Sequence, residues 1–147
     1  MTISSGKIPK AQPSGCPTLI IDEAYQIWLC YEDTRVEVKM TPLCKALYLL
    51  FWQNPQGIIL YELHTYESEL LEIYKHLSPH HSYWLMQANI NRLVNRYNNS
   101  IHEKLSRVKQ AFLKLLPADQ AKYFYIVGKR REVKKIVFCS LSPGTSI

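Results

Sequence analysis

Apolar and polar residues nearly alternate from Tyr25 to Lys39. Tyr25, Ile27, Leu29 and Tyr31 fall in one arm and Val36, Val38 and Met40 in the other, with Glu32-Asp33-Thr34 between them. That period predicts a two-stranded hairpin with one buried face, and Leu19 to Ile21 is a further short apolar run ahead of it. Thr41-Pro42 then marks a helix start, because a Thr hydroxyl can cap the free amides and Pro is tolerated at the first helical position. The stretch from Leu43 to Gln53 is almost wholly apolar, with Leu43, Ala46, Leu47, Leu49, Leu50 and Phe51, and is expected to be the central core helix. Asn54-Pro55-Gln56-Gly57 ends it, and Ile58 to Leu60 reads as a short strand able to pair with a hairpin elsewhere.

A second helical region is predicted over Tyr61 to Leu77, broken near Thr65. Leu70, Leu71, Tyr74 and Leu77 share one face and Glu67, Glu69 and Glu72 the other. Beyond the polar loop Ser78 to Ser82, a helix from Tyr83 to Tyr97 would turn Leu85, Ile90, Leu93, Val94 and Tyr97 inward. Ser100-Ile101-His102-Glu103 has capping-box spacing, so a new helix is expected to start at Ser100. Ile101, Leu105, Val108, Phe112 and Leu115 recur along it at helical spacing and leave His102, Lys104, Ser106, Arg107, Lys109, Gln110 and Lys114 outward, until Pro117 stops it. Lys122 to Val127 and Glu132 to Phe138 are rich in β-branched and aromatic residues around Gly128-Lys129-Arg130-Arg131, which predicts a second hairpin with a basic tip.

These elements form one α+β domain over residues 18–139, preceded by a loose arm, 1–17, with Pro9, Pro13 and Pro17, and followed by a tail, 140–147, that lacks any period. The arm has no apolar core of the kind a signal peptide needs, and the longest apolar run, Ala46 to Trp52, is too short to span a membrane; a cytoplasmic protein is expected. Cys16, Cys30, Cys44 and Cys139 are scattered without metal or disulfide spacing and read as reduced thiols. His76, His80 and His81 cluster, but Ser78-Pro79 stops the helix that would align them, so a solvated loop is expected in place of a metal site.

Charge changes this picture. Asn98 to Phe138 holds 10 Lys and Arg against 3 acids, a net of +7 in a chain whose total is +6. Positive charge gathered on one helix and one hairpin tip makes a directional field suited to a polyanion.

A hairpin, a core helix opening on Thr41-Pro42, a short strand, a second helix, a basic helix and a basic hairpin follow the order of a winged helix. Tyr25 to Phe138 resembles the effector domain of OmpR/PhoB-type response regulators, with Ile101, Leu105 and Val108 where that family has the apolar anchors of its recognition helix. Asn98-Asn99-Ser100-Ile101 with Glu103-Lys104 and Ser106-Arg107 is also similar to small uncharacterised bacterial proteins. Only about 24 residues precede the first hairpin, so the expectation is a regulator without a receiver domain. The family's wing closes on a Gly-x-Gly-Tyr-like pattern, whereas here Gly128 is followed by three cations.

The resemblance implies that the helix at Ser100 enters the major groove of duplex DNA. Asn99, His102 and Arg107 are then candidates to read bases, and Lys104, Lys109, Arg92 and Arg96 to meet phosphates. Lys129, Arg130 and Arg131 would reach an adjacent groove or backbone. No cofactor is expected. Nor is catalysis, because no phosphate-cradling glycine loop, nucleophile elbow or metal-ligand spacing occurs, and His64, Glu62 and Glu67 make only the kind of trio that helix surfaces yield by chance. The rival reading is a protein-interaction winged helix without nucleic acid. In it the acidic helix bearing Glu67, Glu69 and Glu72 pairs with the basic helix of a second copy.

Overall fold

Alternation in the first part of the chain becomes a three-stranded antiparallel meander, β1 (Thr18–Ile21), β2 (Ile27–Cys30) and β3 (Arg35–Val38), in a computed structural model. The structure describes residues 17–79, 81–95, 97–129 and 131–137. Ile27 pairs with Val38 and Leu29 with Val36, so the predicted hairpin forms in the register that buries Ile27, Leu29 and Val38. On the other face the Arg35 guanidinium lies 4.2 Å from the centroid of the Trp28 ring. The β1–β2 turn is organised by Asp22. Its carboxylate accepts the amides of Gln26 at 2.8 Å and Ala24 at 3.0 Å and the Trp28 indole N–H at 3.1 Å. Those donors, the Gln26 amide foremost, hold the Asp22 carboxyl below its ordinary pKa.

Helix α1 (Pro42–Gln53) starts where Thr41-Pro42 predicts, but the Thr41 side chain makes no capping hydrogen bond, so the fixed φ of Pro42 carries the start. Cys44 and Ala46 to Phe51 are buried, which makes α1 the central core helix. The Asn54 to Gly57 turn returns the chain through Gly57, at φ +99°, into β4 (Ile58–Ile59). A 3-10 helix over Leu60–Tyr66 gives way to α2 (Glu67–Leu77), which realises the predicted break one residue after Thr65. α3 (Tyr83–Val94) begins at Ser82, whose hydroxyl accepts the Leu85 amide at 3.1 Å. α4 (Ser100–Leu113) and the single turn α5 (Ala118–Ala121) lead to β5 (Ile126–Val127) and β6 (Val133–Ile136).

These last strands join β4 in a second antiparallel sheet of order β4-β6-β5, with Ile58 opposite Lys134 and Val127 opposite Lys135. The strand that follows the core helix therefore fixes the C-terminal hairpin in place. Close approach enforces the fit: a Cβ on Gly57 would meet the Val133 side chain and stand 2.8 Å from the Lys134 carbonyl oxygen. Behind this sheet Tyr48 of α1 lies 5.3 Å from Phe112 of α4, ring to ring, and Phe112 stacks on Phe124 at 5.9 Å. The Tyr48 hydroxyl donates to the Phe124 carbonyl at 2.7 Å, which ties α1 to the segment that enters β5.

Four sequence expectations are corrected. Residues 122–125 are a turn, not strand, because the amides of Phe124 and Tyr125 both reach back to the Ala121 carbonyl. α3 ends at Val94, so Tyr97 is 89% exposed; Leu85, in the first turn of α3, is 41% exposed, and Met86 is buried beside Ile90, Leu93 and Val94. Ser100 is the first helical residue and not the cap. Its amide donates to Asn98 Oδ1 at 2.8 Å and Asn99 occupies the cap position without a side-chain bond, which leaves Glu103 to pair outside any capping box. Lys104 is half-buried and not fully outward, its side chain 22% exposed with Nζ 3.5 Å from Glu103 Oε1. His80, Cys16 and Cys139 lie outside the described residues, as do the arm to residue 16 and the tail from 138.

Candidate functional site

Two asparagine-centred turns set the start of α4. Asn95 Oδ1 accepts the Tyr97 amide at 2.9 Å and Asn98 Oδ1 the Ser100 amide, so the α3–α4 connection is held by its own side chains. The start of α4 and the hairpin line one cavity. Between them lies a groove of about 570 Å³. Leu63, Leu93 and Ile101 form its apolar floor, and Asn95, Asn99, His102, Arg131 and Lys134 bring polar and basic groups to it. Glu132 is the one acid lining it among the described residues.

Three predicted site residues therefore converge: Asn99 and His102 from α4 and Arg131 from the hairpin. Arg131 holds φ +64°, a left-handed conformation, inside a turn closed by the Glu132 amide on the Lys129 carbonyl at 3.0 Å. Lys134, which sequence reading passed over, braces the same turn by donating from Nζ to the Gly128 carbonyl at 2.7 Å. Its signal was available in the alternation along β6, where Lys134 and Lys135 stand on opposite sides of the strand. Lys129 is exposed beside Arg131, and Arg130 lies outside the described residues.

The remaining candidates lie elsewhere on α4. Lys109 is exposed, with Nζ 5.4 Å from the centroid of the Tyr125 ring. Arg107 faces away from the groove and lines a smaller notch of about 250 Å³ with Lys39 and Lys114. Glu103 bonds Arg107 at 3.1 Å and Lys104 at 3.5 Å, and the Arg107 bond chiefly holds its carboxyl below the ordinary pKa. Arg92, a phosphate candidate, is exposed on α3, and Arg96 is outside the described residues.

The acids of α2 stand apart from both cavities. Neither is lined by Glu67, Glu69 or Glu72. Glu69 accepts Asn54 Nδ2 at 3.3 Å, and Glu72 pairs with Lys75 at 3.5 Å. Among the described residues no three His, Cys, Asp or Glu side chains are grouped to hold a metal ion, and no helix is long and apolar enough to cross a membrane. No known family model, curated protein or solved structure matches the chain, so the functional reading rests on this geometry alone.

Proposed function

We propose that the chain is a winged-helix DNA-binding protein, a small transcriptional regulator in which α4 is the recognition helix and the β5–β6 hairpin the wing. The observation that carries this reading is the groove where Asn99 and His102 meet Arg131 and Lys134. The sheet order β4-β6-β5 supports it, since the strand that follows the core helix anchors the C-terminal hairpin in a small antiparallel sheet. A duplex would receive α4 in its major groove, which admits a helix of this width, while the hairpin cations meet the backbone. His102 and Asn99 would offer hydrogen bonds to base edges. Lys129, Arg131 and Lys134 would neutralise phosphates and fix register.

A duplex of mixed sequence, followed by fluorescence anisotropy across a salt series, tests the reading. Replacing Lys129, Arg130 and Arg131 together with Ala is expected to flatten the slope of log affinity against log salt by roughly 2.7, about 0.9 for each phosphate no longer neutralised. Absence of salt-sensitive binding by the unmodified protein at about 50 mM salt, where such charge pairing counts most, would overturn it.

The second reading, a protein-interaction module, is favoured by one feature. Tyr83, Trp84 and Leu85 in the first turn of α3 are 52%, 76% and 41% exposed, an apolar patch of the kind that marks partner surfaces. A self-association that Trp84→Ser abolishes, in a protein indifferent to DNA, would favour it.

A further inference from the structure

We propose that the notch joining Lys39, Arg107 and Lys114 holds a second nucleic-acid phosphate, so that α4 is flanked by phosphate contacts on both sides. The inference rests on the DNA-binding reading and extends it to a residue from the N-terminal half of the chain. Arg107 and Lys114 are seven residues apart, about two helical turns, and so share one flank of α4; His102 and Lys109 share the other by the same spacing. The cavities agree with that division, since His102 lines the groove by the hairpin and Arg107, Gln110 and Lys114 line the notch by Lys39. Between the flanks lie exposed Ser106, Gln110 and Glu103, the last paired with Arg107.

A helix with its side chains is about 10–12 Å across and the major groove about 12 Å wide, so the two strands' phosphates pass on either side of an inserted helix. One flank is served by Arg131 and Lys134. On the other, Lys39 arrives from the short link between β3 and α1, and Thr41, Ser106 and Gln110 add neutral donors. No acid lines this notch among the described residues. Glu103 holds Arg107 from outside it, in an exposed pair of the weak kind that a phosphate can replace. Arg107 is accordingly a backbone contact and not a base reader.

The test is the double variant Lys39→Gln with Lys114→Gln, its fold checked by circular dichroism and its affinity for mixed-sequence duplex measured across salt. The slope is expected to flatten by roughly 0.9, the share of one phosphate, equally for unrelated duplexes, and Lys39→Arg with Lys114→Arg is expected to keep the original slope. If the double variant does not fold, Lys39→Gln alone carries the test with a flattening in the same direction, of at most roughly 0.9. An unchanged slope while the unmodified protein still binds would overturn the second contact and leave the DNA reading standing. Loss of salt-sensitive binding in the unmodified protein would overturn both. Saturable binding of inorganic phosphate at constant ionic strength, abolished in the double variant whose duplex slope is unchanged, would assign the notch to free phosphate and also overturn the proposal.

Discussion

Replacing Tyr48 by Phe removes one oxygen from the centre of the protein and leaves the ring's packing against Phe112 and Trp52 in place. Tyr48 is fully buried, and its hydroxyl bonds the Phe124 carbonyl at 2.7 Å, so the variant strands a buried acceptor on the segment leading into β5. A hydrogen bond of this kind contributes about 0.5–1.5 kcal/mol net, and a buried group left unsatisfied costs about 1–3 kcal/mol; the expected loss of stability is therefore about 1–3 kcal/mol. Urea unfolding should show it as a lower midpoint at unchanged m value. Alkaline pH supplies an independent check. Burial pushes the Tyr48 phenol well above its ordinary pKa, so the folded protein holds the neutral form. That contribution is complete below the ordinary tyrosine value of about 10 and is lost as pH rises through the folded-state value. The native protein should thus lose more stability on going alkaline than Tyr48→Phe does. A midpoint change worth less than about 0.5 kcal/mol, with the same alkaline limb in both proteins, would show that the Tyr48 hydroxyl does not stabilise the fold through Phe124.

Gly57→Ala should destabilise by about 1–3 kcal/mol, through a strained positive φ and a Cβ driven against the Val133 side chain, and amide exchange should show the loss concentrated in β6. Glu103→Gln removes the acid from the exposed face of α4, and under the DNA reading it should tighten duplex binding and steepen the salt slope; weaker binding would mean that Glu103 orients Arg107 productively. Because the Glu103 carboxyl is held below its ordinary pKa, its stabilising effect is present above the unfolded value and fades as pH falls through the folded one, so the variant should lose that part of the acid limb in a pH series of thermal melts.

The parts of the fold legible in the sequence are those whose signals are local. The apolar run of α1 behind Pro42 and the alternation of β2 and β3 each depend on one period and one punctuation mark. Reading failed where neighbouring signals competed. Ser100 looks like a cap, but Asn98 reaches its amide first and shifts the cap position to Asn99. Lys122 to Tyr125 has strand composition, yet the turn begun at Pro117 holds it until Ile126. Tyr97 belongs to the spacing of α3 but lies beyond its end, in the asparagine-braced connection. For the candidate site, charge and element order brought Asn99, His102 and Arg131 together. They could not show that Arg107 lines a different cavity from His102, shared with Lys39, which stands 68 positions earlier in the chain and is brought near by the packing of α1 on α4.

Residue-by-residue mapping of a bound duplex would locate the nucleic acid on the fold. In amide chemical-shift mapping at low salt, DNA binding through α4 and the hairpin predicts perturbations concentrated on Asn99 to Gln110, Lys114, the hairpin from Gly128 to Lys135 and the link at Lys39, with Tyr83 to Leu85 undisturbed. Perturbations confined to the first turn of α3, or none at all on α4 and the hairpin, would contradict it.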